Sequence, residues 1–143
     1  MSNAISSFGT LLKIGDGAGT ETFTTIAEVL DIDGPTLTQD TVEVTSQTAT
    51  ARHKEYIVTL KDGGEVTFDV NYVTTDGTHN PTTGLIKDYK DGTLRNFQII
   101  FSDSGTTTWT IPAFVVSFGT TMPVNGALGA AITLKVSGEP TLS

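Results

Sequence analysis

Apolar and polar positions alternate most strictly between residues 54 and 72. Lys54-Glu55-Tyr56-Ile57-Val58-Thr59-Leu60 and Glu65-Val66-Thr67-Phe68-Asp69-Val70-Asn71-Tyr72 read as two strands. Lys61-Asp62-Gly63-Gly64 between them predicts a hairpin turn. In the second strand Val66, Phe68, Val70 and Tyr72 point one way and Glu65, Thr67, Asp69 and Asn71 the other, so one face is core and the other wet. Leu11 to Ile14 predicts a short strand ended by the glycine-rich loop from Gly15 to Gly19, and Phe23 to Leu30 a second extended segment. Two further hairpins are expected, Leu94 to Ser102 with Thr106 to Ile111, and Phe114 to Thr121 with Ala131 to Ser137. One short helix fits, with Asn80 as cap, Pro81 in its first turn, Leu85, Ile86 and Tyr89 on one face, and Asp91-Gly92 at its end.

Two stretches carry little core signal. Residues 1–10 read as an arm, with Ile5 and Phe8 among small polar residues, ordered only if something packs on it. Residues 31–52 read as a long polar loop with one strand-like piece at Thr41 to Thr45. A loop of that length inside a compact domain argues for function or disorder. The remaining pattern predicts one domain over 1–143, mainly β, a sandwich or distorted barrel of antiparallel strands with a helix on its flank.

Composition strengthens the β reading. The chain holds 27 Thr and 15 Gly among 143 residues, and β-branched Thr packs well on a half-exposed pleated surface. The length supports a core that buries roughly 70% of the unfolded surface. Sixteen acidic residues against eight Lys and Arg give a net charge of −8, which argues against a nucleic-acid binder relying on phosphate contacts. There is no cysteine, hence no disulfide and no thiolate metal site. No apolar run reaches the ~20 residues that span a bilayer. The first twelve residues lack a signal-peptide pattern, so a cytoplasmic place of assembly is expected.

Candidate chemistry is thin, and neither a catalytic residue, a metal nor a cofactor is expected. Asp31-Ile32-Asp33-Gly34 opens like a calcium loop but has Thr36 and Val42 where Gly and Glu are required. Gly15-Asp16-Gly17-Ala18-Gly19 has a phosphate loop's glycines without its Lys or a following helix pattern. His53 and His79 lie in polar stretches and read as solvated or hydrogen-bonded surface residues. Trp109, with Thr107 and Ile111, reads as core rather than as a sugar platform.

The order of elements is informative as a whole. An N-terminal strand is followed by a long loop carrying Val42-Glu43-Val44-Thr45, then the hairpin ending Val70-Asn71-Tyr72 and the helix from Pro81 to Tyr89. Strands around Ile99-Ile100-Phe101-Ser102-Asp103 and Phe114-Val115-Val116-Ser117-Phe118 follow, and Leu134-Lys135-Val136-Ser137-Gly138-Glu139-Pro140 closes the chain. This order resembles the tail tube (major tail) proteins of long, flexible-tailed, lambda-like phages. The resemblance implies a virion structural protein, assembled in the host cytoplasm, whose hexameric rings stack into a hollow tail tube with an acidic lumen. DNA passes through without specific binding. The implied partners are further copies and the tail-tip, tape-measure and tail-terminator proteins, without membrane insertion. About 24 strands per ring at ~4.8 Å spacing give a backbone diameter of roughly 37 to 52 Å, wide enough for duplex DNA. The lambda-type protein has an additional C-terminal immunoglobulin-like domain, for which the sequence after the closing strand is too short.

Within that reading, Ile5, Phe8, Val42, Glu43, Val44 and Thr45 are expected to stack rings, and deletion of residues 36–50 to leave a folded monomer that makes no tubes. Glu65, Thr67, Asp69 and Asn71 are expected to face the lumen, with Asn96 and Gln98 or Thr133 and Lys135 as competing strand faces. A bacterial type VI secretion-type tube protein and a carbohydrate- or receptor-binding β-sandwich module of a virion are the alternatives.

Overall fold

A computed structural model describes residues 2–17, 19–48 and 52–143. Met1, Ala18 and residues 49–51 lie outside the described residues, and with them one residue of the expected arm, one of the glycine-rich loop and part of the expected long loop. The elements in chain order are β1 (Leu11–Gly15), β2 (Phe23–Thr25), β3 (Val29–Asp33), β4 (Thr38–Glu43), β5 (Tyr56–Asp62), β6 (Glu65–Asn71), α1 (Leu85–Asp91), β7 (Arg95–Ile100), β8 (Thr108–Thr121), β9 (Gly129–Val136) and β10 (Thr141–Leu142). All pairing is antiparallel. One sheet runs β2-β1-β7-β8-β9-β6-β3, with β10 added on β8, and a separate two-stranded sheet joins β4 to β5.

Alternation places the core. Val66, Phe68 and Val70 of β6, Phe97 and Ile99 of β7, Ile111, Ala113 and Val115 of β8, and Ile132, Leu134 and Val136 of β9 are all buried. They form one cluster with Leu12 and Ile14 of β1, which lies near the other end of the sheet. Inner faces from both ends meet in one core, so the sheet curls around it as an open barrel. Ile26, in the connection after β2, and Leu85 of α1 join the same cluster.

The strict alternation of 65–71 is observed, but its partners differ from the expected hairpin. β6 pairs with β9 and β3, whereas β5 pairs with β4. The two glycines between β5 and β6 therefore divide two sheets. Gly64 has φ +71, and a Cβ there would run into the backbone oxygen of Thr36, so only glycine fits where the chain crosses the root of the hairpin. Phe23 to Leu30 is split by a turn at Ala27-Glu28, where Glu28 takes φ 57, and the chain reverses into β3. The segments expected as Thr106 to Ile111 and Phe114 to Thr121 are one 14-residue strand. Pro112 is accommodated opposite Asn96, with its carbonyl accepting the Ser137 N–H, and a register shift between Val115 and Ser117 bends the strand.

The helix is shorter than expected. Asn80 caps a preceding turn, its Oδ1 accepting the Thr82 and Thr83 N–H groups at 3.1 and 2.8 Å. α1 begins only after Gly84, where a Cβ would meet the backbone of residues 78–80, and it ends on Gly92 in the left-handed conformation. Its buried side is Leu85 with Asp88, while Tyr89 is exposed. The reason is electrostatic. Arg95 at the start of β7 reaches Asp88 at 3.1 Å and donates a second bond to the Gly15 carbonyl, tying helix, β7 and β1 together.

His79 is hydrogen-bonded but is not the surface residue expected from the sequence, being fully buried. Its Nδ1 accepts the Val73 N–H at 3.1 Å and its Nε2 faces the Ala27 carbonyl at 2.8 Å. Thr78 beside it accepts the Ala27 N–H. These side chains satisfy backbone groups of the β2–β3 turn that no strand reaches.

Candidate functional site

Three surfaces carry the functional expectations, and each follows from where the sheets place side chains. The first is the β4–β5 hairpin. Every residue of both strands is exposed, and neither strand pairs with the barrel. Register sets Val42 opposite Ile57 on one face, and Thr41 opposite Val58 and Glu43 opposite Tyr56 on the other. Strand periodicity adds Val44 to the first face, and the register shift between Gln39 and Thr41, with Lys61 opposite Gln39, turns Leu60 to the first face as well. Both faces thus present large apolar side chains to solvent, with Leu60 75% and Val58 59% exposed. A two-stranded hairpin with no face packed is marginal in water, and apolar exposure of this extent marks an interaction surface. Glu43 and Thr45 have a local task. The Thr45 hydroxyl donates to Glu43 Oε1 at 3.1 Å and its oxygen accepts the Glu55 N–H at 2.9 Å, while the Val44 N–H bonds the Glu55 carbonyl. These bonds close the free end of the ladder.

The expected loop over 31–52 is therefore an arm with structure. β3 ends it on one side and β4 forms its first strand, beginning at Thr38 rather than at Thr41. The sequence signal that could have found it is the pair Thr38-Gln39-Asp40-Thr41-Val42-Glu43 and Tyr56 to Asp62. It was obscured because Gly63-Gly64 offered β5 a nearer partner.

The second surface is a groove of about 1050 Å³ beside the N-terminal arm. Ser102 Oγ donates to the Ser6 carbonyl at 2.6 Å, and Gly9, at φ +93, lies against the Ser102 Cβ. The arm so pinned forms one wall with Ile5 and Phe8, which are 66% and 92% exposed. Leu30 and Asp31 of β3 form the other, and Phe101 and Asp103 line it as well. Asp103 accepts the Thr107 N–H at 2.8 Å on Oδ1 and the Thr107 hydroxyl at 2.7 Å on Oδ2. These bonds hold its carboxyl below the usual carboxylate range. Of the six residues expected to stack rings, the structure places Ile5 and Phe8 at this groove and Val42, Glu43, Val44 and Thr45 on the hairpin, as two separate surfaces.

The third surface is the wet face of the barrel. Glu65, Thr67 and Asp69 are exposed and Asn71 is half-buried. Directly opposite residues of antiparallel strands share a face. Lys135, Thr133 and Ala131 stand opposite Glu65, Thr67 and Asp69, and Asp33 stands opposite Thr67 from the other side. Gln98 and Asn96 stand opposite Thr110 and Pro112 of β8, and Lys13 opposite Gln98. The three strand faces that compete in the sequence are parts of one outer face, opposite to the buried core positions. It carries the carboxylates Asp33, Glu65 and Asp69 against Lys13 and Lys135, and Lys135 lies 4.0 Å from Asp62. Asp33 on this face escaped sequence reasoning, which weighed it only as part of a metal loop.

Chemistry beyond packing is sparse. Among the described residues no group of three His, Asp or Glu is placed to hold a metal, and no helix is long and apolar enough to cross a membrane. His53 is exposed and His79 is committed to backbone. Burial raises the Asp88 carboxyl above its usual range, opposed by the adjacent Arg95, and Asp76 is held below it by the hydroxyl and N–H of Thr78. Both serve internal joints of the fold.

Comparison with solved structures gives the same architecture. The chain superposes on the tail of an empty gene transfer agent particle, refined with C6 symmetry, with a TM-score of 0.77 at 20% identity, covering 98% of this chain and 99% of that one. A chain of an extracellular contractile injection system, from its sheath/tube terminator in the extended state, gives a TM-score of 0.74 at 13% identity, covering 100% and 99%. The SPP1 tail tube gives 0.62 at 14% identity, covering 93% and 75%. No curated protein sequence matches. The family model for the lambda phage tail tube protein matches residues 12–143, from the first core strand to the final residue, and the chain therefore belongs to the lambda phage tail tube protein family.

Proposed function

We propose that the protein assembles with itself into six-membered rings, and that the rings stack into the hollow tube of a virion tail through which DNA passes. The observation that carries this reading is the β4–β5 hairpin, with apolar residues on both faces and no packing partner in its own chain. A barrel that buries its own core has no need of such an arm, whereas a ring subunit does. The gene transfer agent tail, refined with C6 symmetry, supports a ring of six. The short edge strands β2 and β3, which each leave one side unpaired, are consistent with ring closure.

In this reading Val42 and Val44 of the hairpin, with Ile5 and Phe8 of the arm, make the contacts between rings, and Glu43 and Thr45 keep the hairpin end in shape. The outer face bearing Glu65, Thr67, Asp69 and Asn71 lines the lumen. Its two lysines stand on strands far apart in the sheet, and Lys135 sits beside Glu65 and Asp62, so it offers DNA no row of uncompensated cations and little counterion release. Tail-tip, tape-measure and tail-terminator proteins would meet the two ends and the interior of such a tube.

Electron microscopy of the purified protein at rising concentration, beside sedimentation velocity, tests the proposal. Rings or hollow tubes with a pore near 40 Å are expected, on the strand count and spacing of a six-membered ring. Both strands of the hairpin fall within residues 37–62, and their two roots meet where Gly64 lies against Thr36. Deletion of 37–62 is thus a cleaner test than removal of 36–50, and should leave a folded monomer that makes no tubes. Asp69→Cys should react with a bulky thiol reagent in monomers and be shielded in tubes. Equal labelling in both states would remove this face from the lumen.

A further inference from the structure

The hairpin end and the arm groove are opposite in charge, and both expose apolar side chains. The protein is acidic, with eight Lys and Arg in the whole chain. Lys87, Arg95 and Lys135 are paired internally with Asp91, Asp88 and Asp62. Arg52 and Lys54 flank His53 at the free end of the hairpin, where all three are exposed, and neither makes an ion pair among the described residues. This is the densest basic run in the sequence. Beside it lie the apolar side chains of Val44 and Tyr56, 44% and 55% exposed.

The groove has the opposite character. Asp31 is exposed at its rim, and Asp103 is fixed in orientation by Thr107. Its apolar lining includes Ile5, Phe8 and Leu30, all exposed. The hairpin cannot fill this groove in its own chain. Its residues are exposed along their full length, and six residues of strand carry the free end about 20 Å from the root.

We infer that the free end of the hairpin of one copy seats in the arm groove of a second copy, with Arg52 and Lys54 against Asp31 and Asp103, and Val44 and Tyr56 against Ile5, Phe8 and Leu30. The inference rests on the tube reading and specifies its contact. The apolar part supplies most of the attraction, since exposed ion pairs contribute little each. The charges set the register, because a hairpin end placed against the wrong surface of so acidic a protein would leave its cations unmatched. Assembly through this contact weakens as salt screens the pairs.

The absence of cysteine allows a direct test. Lys54→Cys and Asp31→Cys are made singly, mixed under assembly conditions and treated with a short bismaleimide linker. Cross-linked dimers are expected at least tenfold above those from either variant alone. In parallel, Lys54→Glu and Asp31→Lys should each raise the concentration needed for tubes about tenfold. The double variant should return it to within threefold of wild type. Circular dichroism confirms that these exposed substitutions leave the fold intact. Tubes that form with neither the mixed cross-link nor the rescue overturn the pairing and leave the tube reading standing, as does cross-linking of Asp31→Cys only to itself. Failure of the wild-type chain to form rings or tubes at any concentration, with or without a tail-tip nucleus, overturns the tube reading itself.

Discussion

The barrel and the β4–β5 hairpin are built from the same kind of strand and end in opposite states. In β6 and β9 every second residue goes into a shared core, and the side chains between them stay polar or small. In the hairpin, Val42, Val44 and Leu60 lie on one face and Tyr56 and Val58 on the other, and none is buried. One region satisfies itself within the chain. The other is satisfied only when something covers both faces. The contrast locates function in the region where local pattern and burial disagree, since natural sequences are otherwise consistent across levels.

The largest effects should come from breaking the barrel side of this contrast. Phe97→Ala removes a fully buried ring from the centre of the core and should cost about 3–5 kcal/mol, read as a shift in urea midpoint. Tyr56→Ser on the hairpin should change monomer stability by no more than ~0.5 kcal/mol, as exposed substitutions do, while abolishing tubes in sedimentation. A comparable loss of stability in both variants would erase the distinction between the regions.

Next in size is the joint between helix and barrel. Arg95→Met leaves Asp88 buried without its cation and should cost about 3 kcal/mol at pH 7. Burial already raises the Asp88 carboxyl, and a raised carboxyl stabilises the fold in its protonated form, a contribution that fades as pH rises through the folded value. The deficit of Arg95→Met should therefore shrink toward pH 4. A deficit constant with pH would mean that Asp88 is not the group left exposed to the loss.

The smallest expected effect is at Asp103. Its lowered carboxyl contributes stability above the unfolded carboxylate range that is lost as pH falls through the folded value. Asp103→Asn should flatten that part of the acid limb of a stability-against-pH curve, with a small deficit at neutral pH that disappears as pH falls through the folded value. The same substitution should weaken tube assembly at pH 7, because the groove loses a charge that the monomer hardly needs.

Much of the barrel was legible in the sequence because alternation reports burial directly. Val66, Phe68 and Val70 are buried as their spacing requires, and the pairings of 94–102 with 106–111 and of 114–121 with 131–137 are observed. What periodicity cannot convey is which strands pair over a distance. Gly63-Gly64 has the composition of a hairpin turn, yet β5 and β6 belong to different sheets, because β6 buries one face against the core while β5 has no core to face. Residues 106–111 and 114–121 read as separate segments, yet the strand continues through Pro112, whose carbonyl bonds Ser137. His79 and Asp88 lay beyond sequence reasoning for a related reason. His79 is buried against Ala27, distant in the chain, and Asp88 against Arg95, which lies on the next element and turns back onto the helix. The wet face of β6 was legible by alternation, but its extension through Asp33, Lys135 and Gln98 required the register.

The central claim, that the hairpin is completed only by other copies, is tested most directly by amide hydrogen exchange across residues 38–62, measured on the monomer and on assembled tubes at the same pH. The account predicts that the hairpin amides, including Val44 and those of β5, exchange within the fast class in the monomer while β6, β8 and β9 are strongly protected. In tubes the hairpin amides should slow at least a hundredfold, joining the barrel. Hairpin amides already protected to the level of β6 in the monomer, or equally fast in monomer and tube, would contradict it.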